Sequence, residues 1–319
     1  MPSSPSELSL SKASNTSQQT SSEPKKFDKP KKPEKPELQS LSVNRKVLIT
    51  DCADAQGLIA KITGVCFQHQ LNIIKNKEFV DRDNNRFYMR TELEGEFTDQ
   101  LFLDDLAKVL PKQNHVKLVE AGKKRIVIMV TKEAHCLGDI LMKAYYGGLD
   151  VEIAAVVGNY PELGKLVEKF SIPYHYVDHL GVTREQHEQA MLDVILPYQA
   201  DYLVLAKFMR VLTPNFVSHF THRIINIHHS FLPAFIGASP YKQAWERGVK
   251  IIGATAHFVN DNLDEGPIIK QDVINVDHSY SAQELAHHGR DVEKSVLSKA
   301  LQLVLSEKVV VYGNKTVVF

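Results

Sequence analysis

The spacing of apolar and polar positions divides the chain into two regions of regular structure. In the first region, short apolar runs and helically spaced apolar residues follow the order strand, helix, strand, strand, helix, strand over about 75 residues. A polar turn signal at residues 83–85 separates the two middle strands. This pattern predicts a split β-α-β sandwich, with strands at 47–50, 73–80, 87–93 and 116–119, helix 101–110, and a first helix with apolar positions Leu58, Ile59, Ile62, Val65 and Cys66.

The second region alternates nearly continuous apolar strands with amphipathic helices. Such strands are typical of a parallel sheet that is covered on both faces. The ligands of a doubly wound sheet lie beyond the carboxyl ends of its strands, so chemistry is expected just after residues 206 and 227 and around residue 258. The predicted elements are strands 125–130, 151–157, 203–206, 224–227 and 251–259, helices near 137–144 and 185–196, a long helix opened by a Ser281–Glu284 capping box, and a closing hairpin at 309–318.

The predicted fold class is therefore α/β, with a ferredoxin-like α+β domain followed by a doubly wound, mostly parallel domain. The expected boundaries are 1–43 for a polar tail, 44–121 for the first domain and 122–319 for the second. The tail has almost no large apolar side chains, so it is expected to be disordered. A targeting peptide is the alternative, but the tail contains no Arg and several Glu residues.

Composition narrows the range of partners. The chain has 38 basic and 38 acidic residues, so no overall field favours nucleic acid or an anionic membrane, and a small molecule is the better expectation. The three cysteines, Cys52, Cys66 and Cys136, have no paired spacing, which favours a reducing cytoplasm. No apolar run approaches the roughly 20 residues that span a bilayer.

Three polar residues are placed for acyl-group chemistry. Asn226 and His228 alternate on one side of a predicted strand end, and a polar loop after the next strand carries Asp264. An amide and an imidazole can donate to a developing oxyanion, while a carboxylate and an imidazole can move a proton. The sequence therefore predicts one site that gathers these three side chains.

The same motifs resemble the formyltransferase family that uses 10-formyltetrahydrofolate. The family pattern is N-x-H, then S-x-L-P, then a strand with H-F, then a loop ending in D-x-G, and all parts occur here in that order. The resemblance covers about residues 125–305 and implies that Asn226, His228 and Asp264 are catalytic. It also implies that the pterin ring of the folate is bound by Met209, Arg210, Leu212, Asn260, Asp261, Asn262 and Leu263.

His257 and His229 are expected to contact the catalytic residues rather than the substrate. His257 lies in the strand before the Asp264 loop, and the alternative is an ordinary hydrogen-bonded core histidine. The His228-His229 pair could suggest zinc, but adjacent strand residues are expected to point to opposite faces and no further Cys or His has ligand spacing. We therefore expect no metal, and no cofactor other than the folate substrate.

Two absences point to one branch of the family. The segment 131–139 carries acids and lacks the glycine-rich phosphate loop of glycinamide ribonucleotide formyltransferases. Because the predicted closing hairpin comes near the end of the sequence and there is no basic excess, the C-terminal RNA-binding barrel of methionyl-tRNA formyltransferases is not expected. What remains resembles the deformylases, in which water is the acceptor, and implies hydrolysis of 10-formyltetrahydrofolate to formate and tetrahydrofolate, with formate for purine synthesis and a balanced one-carbon pool.

The turn after the first strand resembles the ACT domain signature D-x-x-G-hydrophobic. It carries Asp54, Gly57 and Leu58, and the resemblance implies an amino-acid effector at this turn, with glycine and methionine as candidates, and a homo-oligomer. The alternative is that Gly57 only permits the turn.

Two other functions are alternatives from sequence: a formyltransferase with another amine acceptor, and a non-catalytic folate sensor, against which the intact Asn226, His228 and Asp264 argue. A dinucleotide-binding enzyme is not expected, because no G-x-G-x-x-G motif follows strand 125–130.

Overall fold

The computed structural model describes residues 44–234 and 240–319. The predicted polar tail, residues 1–43, lies outside the described residues.

The first sheet has four antiparallel strands in the order β2-β3-β1-β4, with two helices packed on one face. This is the chain order and sheet order of a ferredoxin-like sandwich. The assignment of Ile59 to the apolar face of α1 was wrong, because Ile59 is 44% exposed, whereas the other apolar positions of that face are buried in the core. The elements are β1 (Arg45–Ala53), α1 (Leu58–Gln68), β2 (Asn72–Asp81), β3 (Arg86–Glu94), α2 (Asp99–Val109) and β4 (Asn114–Glu120).

The second sheet has the strand order β11-β10-β9-β8-β5-β6-β7. The five neighbouring strands β9, β8, β5, β6 and β7 pair in parallel. Helices α3 and α8 cover one face and α5 and α6 cover the other. The elements are β5 (Lys124–Val130), α3 (His135–Tyr145), β6 (Val151–Gly158), α4 (Gly164–Glu168), β7 (Tyr174–Tyr176), α5 (Arg184–Ile195), β8 (Tyr202–Leu205), α6 (Pro214–Ser218), β9 (Ile224–His228), α7 (Pro240–Arg247), β10 (Ile251–Phe258), β11 (Ile268–Asn275), α8 (Ala282–Leu305), β12 (Val309–Tyr312) and β13 (Lys315–Val318).

A mostly parallel sheet is confirmed, but strand β10 runs antiparallel to β9 and β11 antiparallel to β10. The apolar run of β10 reflects burial of both its faces, which does not depend on strand direction. The sequence analysis did not predict strands β7 and β11. Strand β7 has only three residues, and β11 shows only a weak alternation of buried and exposed positions, so neither gives a clear strand pattern.

The sheet reverses its direction of winding between β5 and β8. From β5 the chain proceeds to β6 and β7 on one side, then crosses to β8 and β9 on the other. The connections leaving β5 and β8 therefore diverge, and the crevice between them is where doubly wound sheets usually hold ligands.

Helix α8 connects the two sheets. Its N-terminus has the predicted capping box of Ser281 and Glu284. Just beyond its C-terminus, the backbone carbonyls of Ser306 and Glu307 accept hydrogen bonds from Arg90 of β3 at 2.8 and 2.7 Å. Lys117 of β4 lies 2.8 Å from the Glu307 carboxylate.

Candidate active site

Strand β9 places Asn226 and His228 on the cavity side of the sheet. Ile225 and Ile227 alternate with them and pack in the core beneath α3 and α8. The two polar residues therefore face one region because of the two-residue period of a strand. His228 is 5% exposed, while Asn226 is half-buried.

The loop after β10 brings Asp264 back over the end of β9. It returns so closely to its own strand that a Cβ at Gly266 would lie 1.7 Å from the carbonyl oxygen of Phe258. Only glycine fits there, which explains the glycine of the D-x-G motif. Asp264 itself has a φ of 57°, in the left-handed region.

The polar side chains form one connected group. His228 Nδ1 lies 3.2 Å from Asp264 Oδ2, and His257 Nε2 lies 3.7 Å from Asp264 Oδ1. Asn226 Nδ2 donates to His257 Nε2 at 3.2 Å, while His257 Nδ1 donates to the Phe258 carbonyl at 2.9 Å. The Phe258 carbonyl thus fixes the histidine tautomer, and the histidine fixes the amide of Asn226. Within the described residues, the second hydrogen of that amide nitrogen makes no hydrogen bond.

Charge and burial set the state of the carboxylate. Burial alone would raise the pKa of Asp264, but the contacts with His228 and His257 outweigh burial and hold this pKa well below its usual value. Asp264 is therefore ionised at neutral pH. His228 Nε2 is buried and has no hydrogen-bond partner among residues 44–234 and 240–319. A buried nitrogen without a partner is suited to a ligand atom.

A cavity of about 260 Å³ opens beside this group. Its remaining walls come from the segment after β8 and from the loop after β10. All seven residues that sequence assigned to the folate line it: Met209, Arg210, Leu212, Asn260, Asp261, Asn262 and Leu263. The structure therefore brings together the predicted catalytic and binding residues, whose roles stay predictions.

The two supporting histidines also lie here. His257 contacts Asn226 and approaches Asp264, as described above. His229 lines the same cavity as His228, with ring centroids 5.2 Å apart. The expectation that these neighbours point to opposite faces was wrong, because β9 ends at His228 and strand alternation no longer applies to His229.

Sequence reasoning missed a buried polar network next to the cavity. Lys207 Nζ lies 3.3 Å from Glu293 Oε2, His135 Nε2 lies 2.8 Å from the same oxygen, and Tyr241 donates to Oε1 at 2.6 Å. Glu293 could have been noticed from sequence, because it occupies an apolar helical position beside Val292 and Val296.

Part of this network has the donor set of a metal site. Ligand atoms of His135, Cys136 and Glu293 lie within 4.8 Å of one another. The Lys207 ammonium already balances the carboxylate, however, and burial followed by the nearby Glu293 charge raises the pKa of Cys136 well above its usual value. A protonated thiol is a poor metal ligand. The donor set therefore fits a charge-balanced network better than a metal site.

The predicted effector turn lies at the other sheet. Gly57 has a φ of 79° and precedes α1, so the turn needs glycine. Leu58 is 2% exposed and packs in the core. Asp54 is half-buried, and its backbone N–H donates to the Asn85 carbonyl at 3.0 Å.

Comparison with known proteins agrees with this fold. A family model described as formyl transferase matches residues 124–301. The fold and the site together define a formyltransferase-type α/β protein. Formyltetrahydrofolate deformylase of Escherichia coli is 64% identical over 277 residues, which span 87% of this chain and 99% of the relative. A crystal structure of a formyltetrahydrofolate deformylase from Pseudomonas syringae has a TM-score of 0.83 and 38% identity, covering 88% of this chain and 96% of that one. The chain belongs to the formyltetrahydrofolate deformylase family.

A transferase matches a smaller share of the chain than the deformylases do. Glycinamide ribonucleotide transformylase 1 from Symbiobacterium toebii has a TM-score of 0.60 and 27% identity, covering 62% of this chain and 94% of that one.

Within residues 44–234 and 240–319, no helix combines the length and apolar character that crossing a membrane requires.

Proposed function

We propose that this protein hydrolyses 10-formyltetrahydrofolate to formate and tetrahydrofolate. The observation that carries the proposal is the convergence of Asn226, His228 and Asp264 on one cavity with a buried, unpartnered imidazole nitrogen. Family membership supports the choice of substrate and of water as acceptor. The cavity walls after β8 and β10 would hold the pterin ring.

In the proposed reaction, Asp264 orients a water molecule and takes its proton. The ionised state of this carboxylate suits it to accept a hydrogen bond from water. The water oxygen bonds to the formyl carbon, and the bond between that carbon and the folate nitrogen then breaks. The proton moves from Asp264 to the departing nitrogen, so atoms and charge balance. Neither a metal nor a cofactor takes part in the proposed steps.

Two donors would stabilise the negative oxygen that develops. His228, whose Nδ1 faces Asp264, would donate from Nε2, and Asn226 would donate its remaining amide hydrogen. Both donors are fixed before the substrate arrives, which lowers the reorganisation cost of the reaction. His257 acts through Asn226 and is a positioning residue.

The direct test is to incubate the purified protein with 10-formyltetrahydrofolate in the absence of any amine. Formate and tetrahydrofolate are expected in equal amounts. Absence of formate with a folded protein would contradict the proposal. A product that forms only when an amine is added would identify a transferase instead.

Regulation by an amino acid is a further part of the proposal. The ferredoxin-like topology and the left-handed Gly57 before α1 support an ACT domain at residues 44–121, in front of a catalytic domain at residues 122–319. Asp54 and Gly57 would bind the effector at the α1 N-terminus, with Leu58 anchoring the turn. We also propose a homo-oligomer in the cytoplasm, where the released formate supplies purine synthesis and the reaction balances the folate pool.

Glycine and methionine are the effectors to test. Activity should change with one of them in the natural protein and respond less in Asp54→Ala. Asp83→Ala, in the exposed turn between β2 and β3, is a control on the same sheet. An effect that is equal in both variants would place the effector elsewhere.

A further inference from the structure

Lys207 has an unusual backbone for a lysine. It follows β8 directly, it has a φ of 62°, and it is 5% exposed. The left-handed region favours glycine and disfavours long side chains. A lysine kept there, and buried, indicates that its side chain has a use that outweighs the strain.

The lysine completes a network drawn from several elements. Its ammonium faces Glu293 of α8, which is fully buried and also contacts His135 at the start of α3 and Tyr241 of α7. Burial raises the pKa of Glu293, but the hydrogen bond from His135 and the Lys207 charge outweigh it and lower this pKa to about 2. Glu293 is therefore ionised at neutral pH, and the Lys207 ammonium lies 3.3 Å from its carboxylate.

The buried side chains of this network lie at the crevice where the sheet reverses. Lys207 follows β8 and His135 begins the helix after β5, so they come from the two connections that diverge there. Doubly wound proteins normally use such a crevice for a ligand. Here it contains fixed side chains.

This crevice adjoins the reacting group. Lys207 and His229 both line the cavity that holds His228 and Asp264, and the ring centroids of His229 and Tyr241 are 6.2 Å apart. A second substrate entering from this side would have to displace the network in order to bring its nucleophile within about 3–3.5 Å of the formyl carbon.

We propose that Lys207, held against Glu293, determines acceptor specificity by closing this crevice to amines and leaving water as the nucleophile. The inference rests on the proposed hydrolysis. The reaction that it prevents is transfer to an amine: the amine nitrogen bonds to the formyl carbon, the bond to the folate nitrogen breaks, and the amine proton moves to that nitrogen. The products would be a formamide and tetrahydrofolate.

The test is Lys207→Gly, which suits the backbone and opens the crevice. Glycinamide is the amine probe, and the measured quantity is the ratio of N-formylglycinamide to formate, corrected for the reaction without enzyme. We expect this ratio to rise by on the order of tenfold or more over the natural protein.

A second variant separates specificity from folding. Removing the lysine leaves the buried Glu293 carboxylate without its cation, and an unpaired buried charge destabilises the folded state. Lys207→Gly combined with Glu293→Gln removes both charges and should show the same raised ratio. Gln199→Gly is the matched control, since Gln199 is exposed and also has a positive φ of 49°; its ratio should equal that of the natural protein.

The outcomes distinguish the two proposals. If the natural protein releases no formate, the proposed hydrolysis fails. If it releases formate and both folded Lys207 variants keep the natural product ratio, hydrolysis stands and the role of Lys207 is overturned.

Discussion

Asp264 and Lys207 are charged residues with left-handed backbones, at φ 57° and 62°, and both line one cavity. Each such residue costs about 1–3 kcal/mol, so the surrounding contacts must hold it in place. Asp264 is held by two histidines and by the close return at Gly266, and Lys207 by Glu293. Two of the eight non-glycine residues with a positive φ in the described part of the chain thus line the proposed site.

Replacing Asp264 by Asn should reduce kcat by about 10²- to 10⁴-fold, because an amide cannot take a proton from water. Folate affinity should change little, since the amide oxygen can still accept from His228. Steady-state kinetics and equilibrium binding measure the two effects. Asp291→Asn on the surface of α8 is the control; weak binding with normal turnover would contradict the role of Asp264.

Replacing His228 by Ala should lower turnover by about 10²- to 10³-fold, the usual loss for one oxyanion donor. The unpartnered Nε2 is the atom that this change removes. Exposed His287→Ala should be neutral. Normal turnover in His228→Ala would exclude this residue from the mechanism.

Glu293 should control acid stability. Its pKa falls from 4.5 to about 2 on folding, so it stabilises the folded state above about pH 4.5 and this contribution is lost as pH falls through about 2. The contribution is on the order of 3 kcal/mol. The thermal midpoint of the natural protein should fall steeply over this pH window, and that of Glu293→Gln less steeply. Exposed Glu168→Gln should keep the natural slope; equal slopes in all three proteins would contradict the assignment.

Among the secondary-structure elements, those with strong local signals follow the sequence most closely. The Ser281–Glu284 capping box and the hairpin of β12 and β13 are both confirmed. Local hydrogen bonds and turn geometry fix such features without help from distant residues. Strand β7 gives no comparable signal because it has only three residues and depends on its pairing with β6.

Two threonines at helix N-termini allow the contribution of a capping hydrogen bond to be tested. Thr183 caps α5 and accepts a hydrogen bond from the Gln186 N–H, with the reciprocal Gln186 contact completing a capping box. Thr98 precedes α2, but its side chain makes no capping bond within the described part of the chain. Thr183→Ala should cost about 0.5–2 kcal/mol and Thr98→Ala much less, as chemical denaturation would show. Equal losses would contradict the capping assignment.

Across the whole molecule, Arg90 joins the first sheet to the end of α8. It is 4% exposed and donates to two backbone carbonyls beyond that helix. Helix α8 also carries Glu293, so one rigid element extends from the first sheet to the cavity. Tyr312 and Asn314 of the hairpin region form a second connection, to Asp81 and to the carbonyl of Glu265 beside Asp264.

Arg90→Ala should weaken the connection between the sheets. Unfolding can be followed by two signals. The fluorescence of Trp245, the single tryptophan, reports on α7 alone, whereas far-UV circular dichroism reports on both sheets. The two unfolding transitions should coincide in the natural protein and separate in the variant. Arg45→Ala, which removes an exposed ion pair in the first sheet, should keep them coincident. Coincident transitions in Arg90→Ala would show that this connection is not needed for cooperative unfolding.

The sequence by itself determined the element order, the alternation that aligns Asn226 with His228, and the loop that carries Asp264. These follow from local periods and from motifs with a fixed spacing. Tertiary structure decided the antiparallel direction of β10, the shared cavity of His228 and His229, and the pairing of Lys207 with Glu293. Lys207 and Glu293 are 86 positions apart in the sequence, and only the folding of α8 over the end of β8 brings an ammonium and a carboxylate together in a buried crevice.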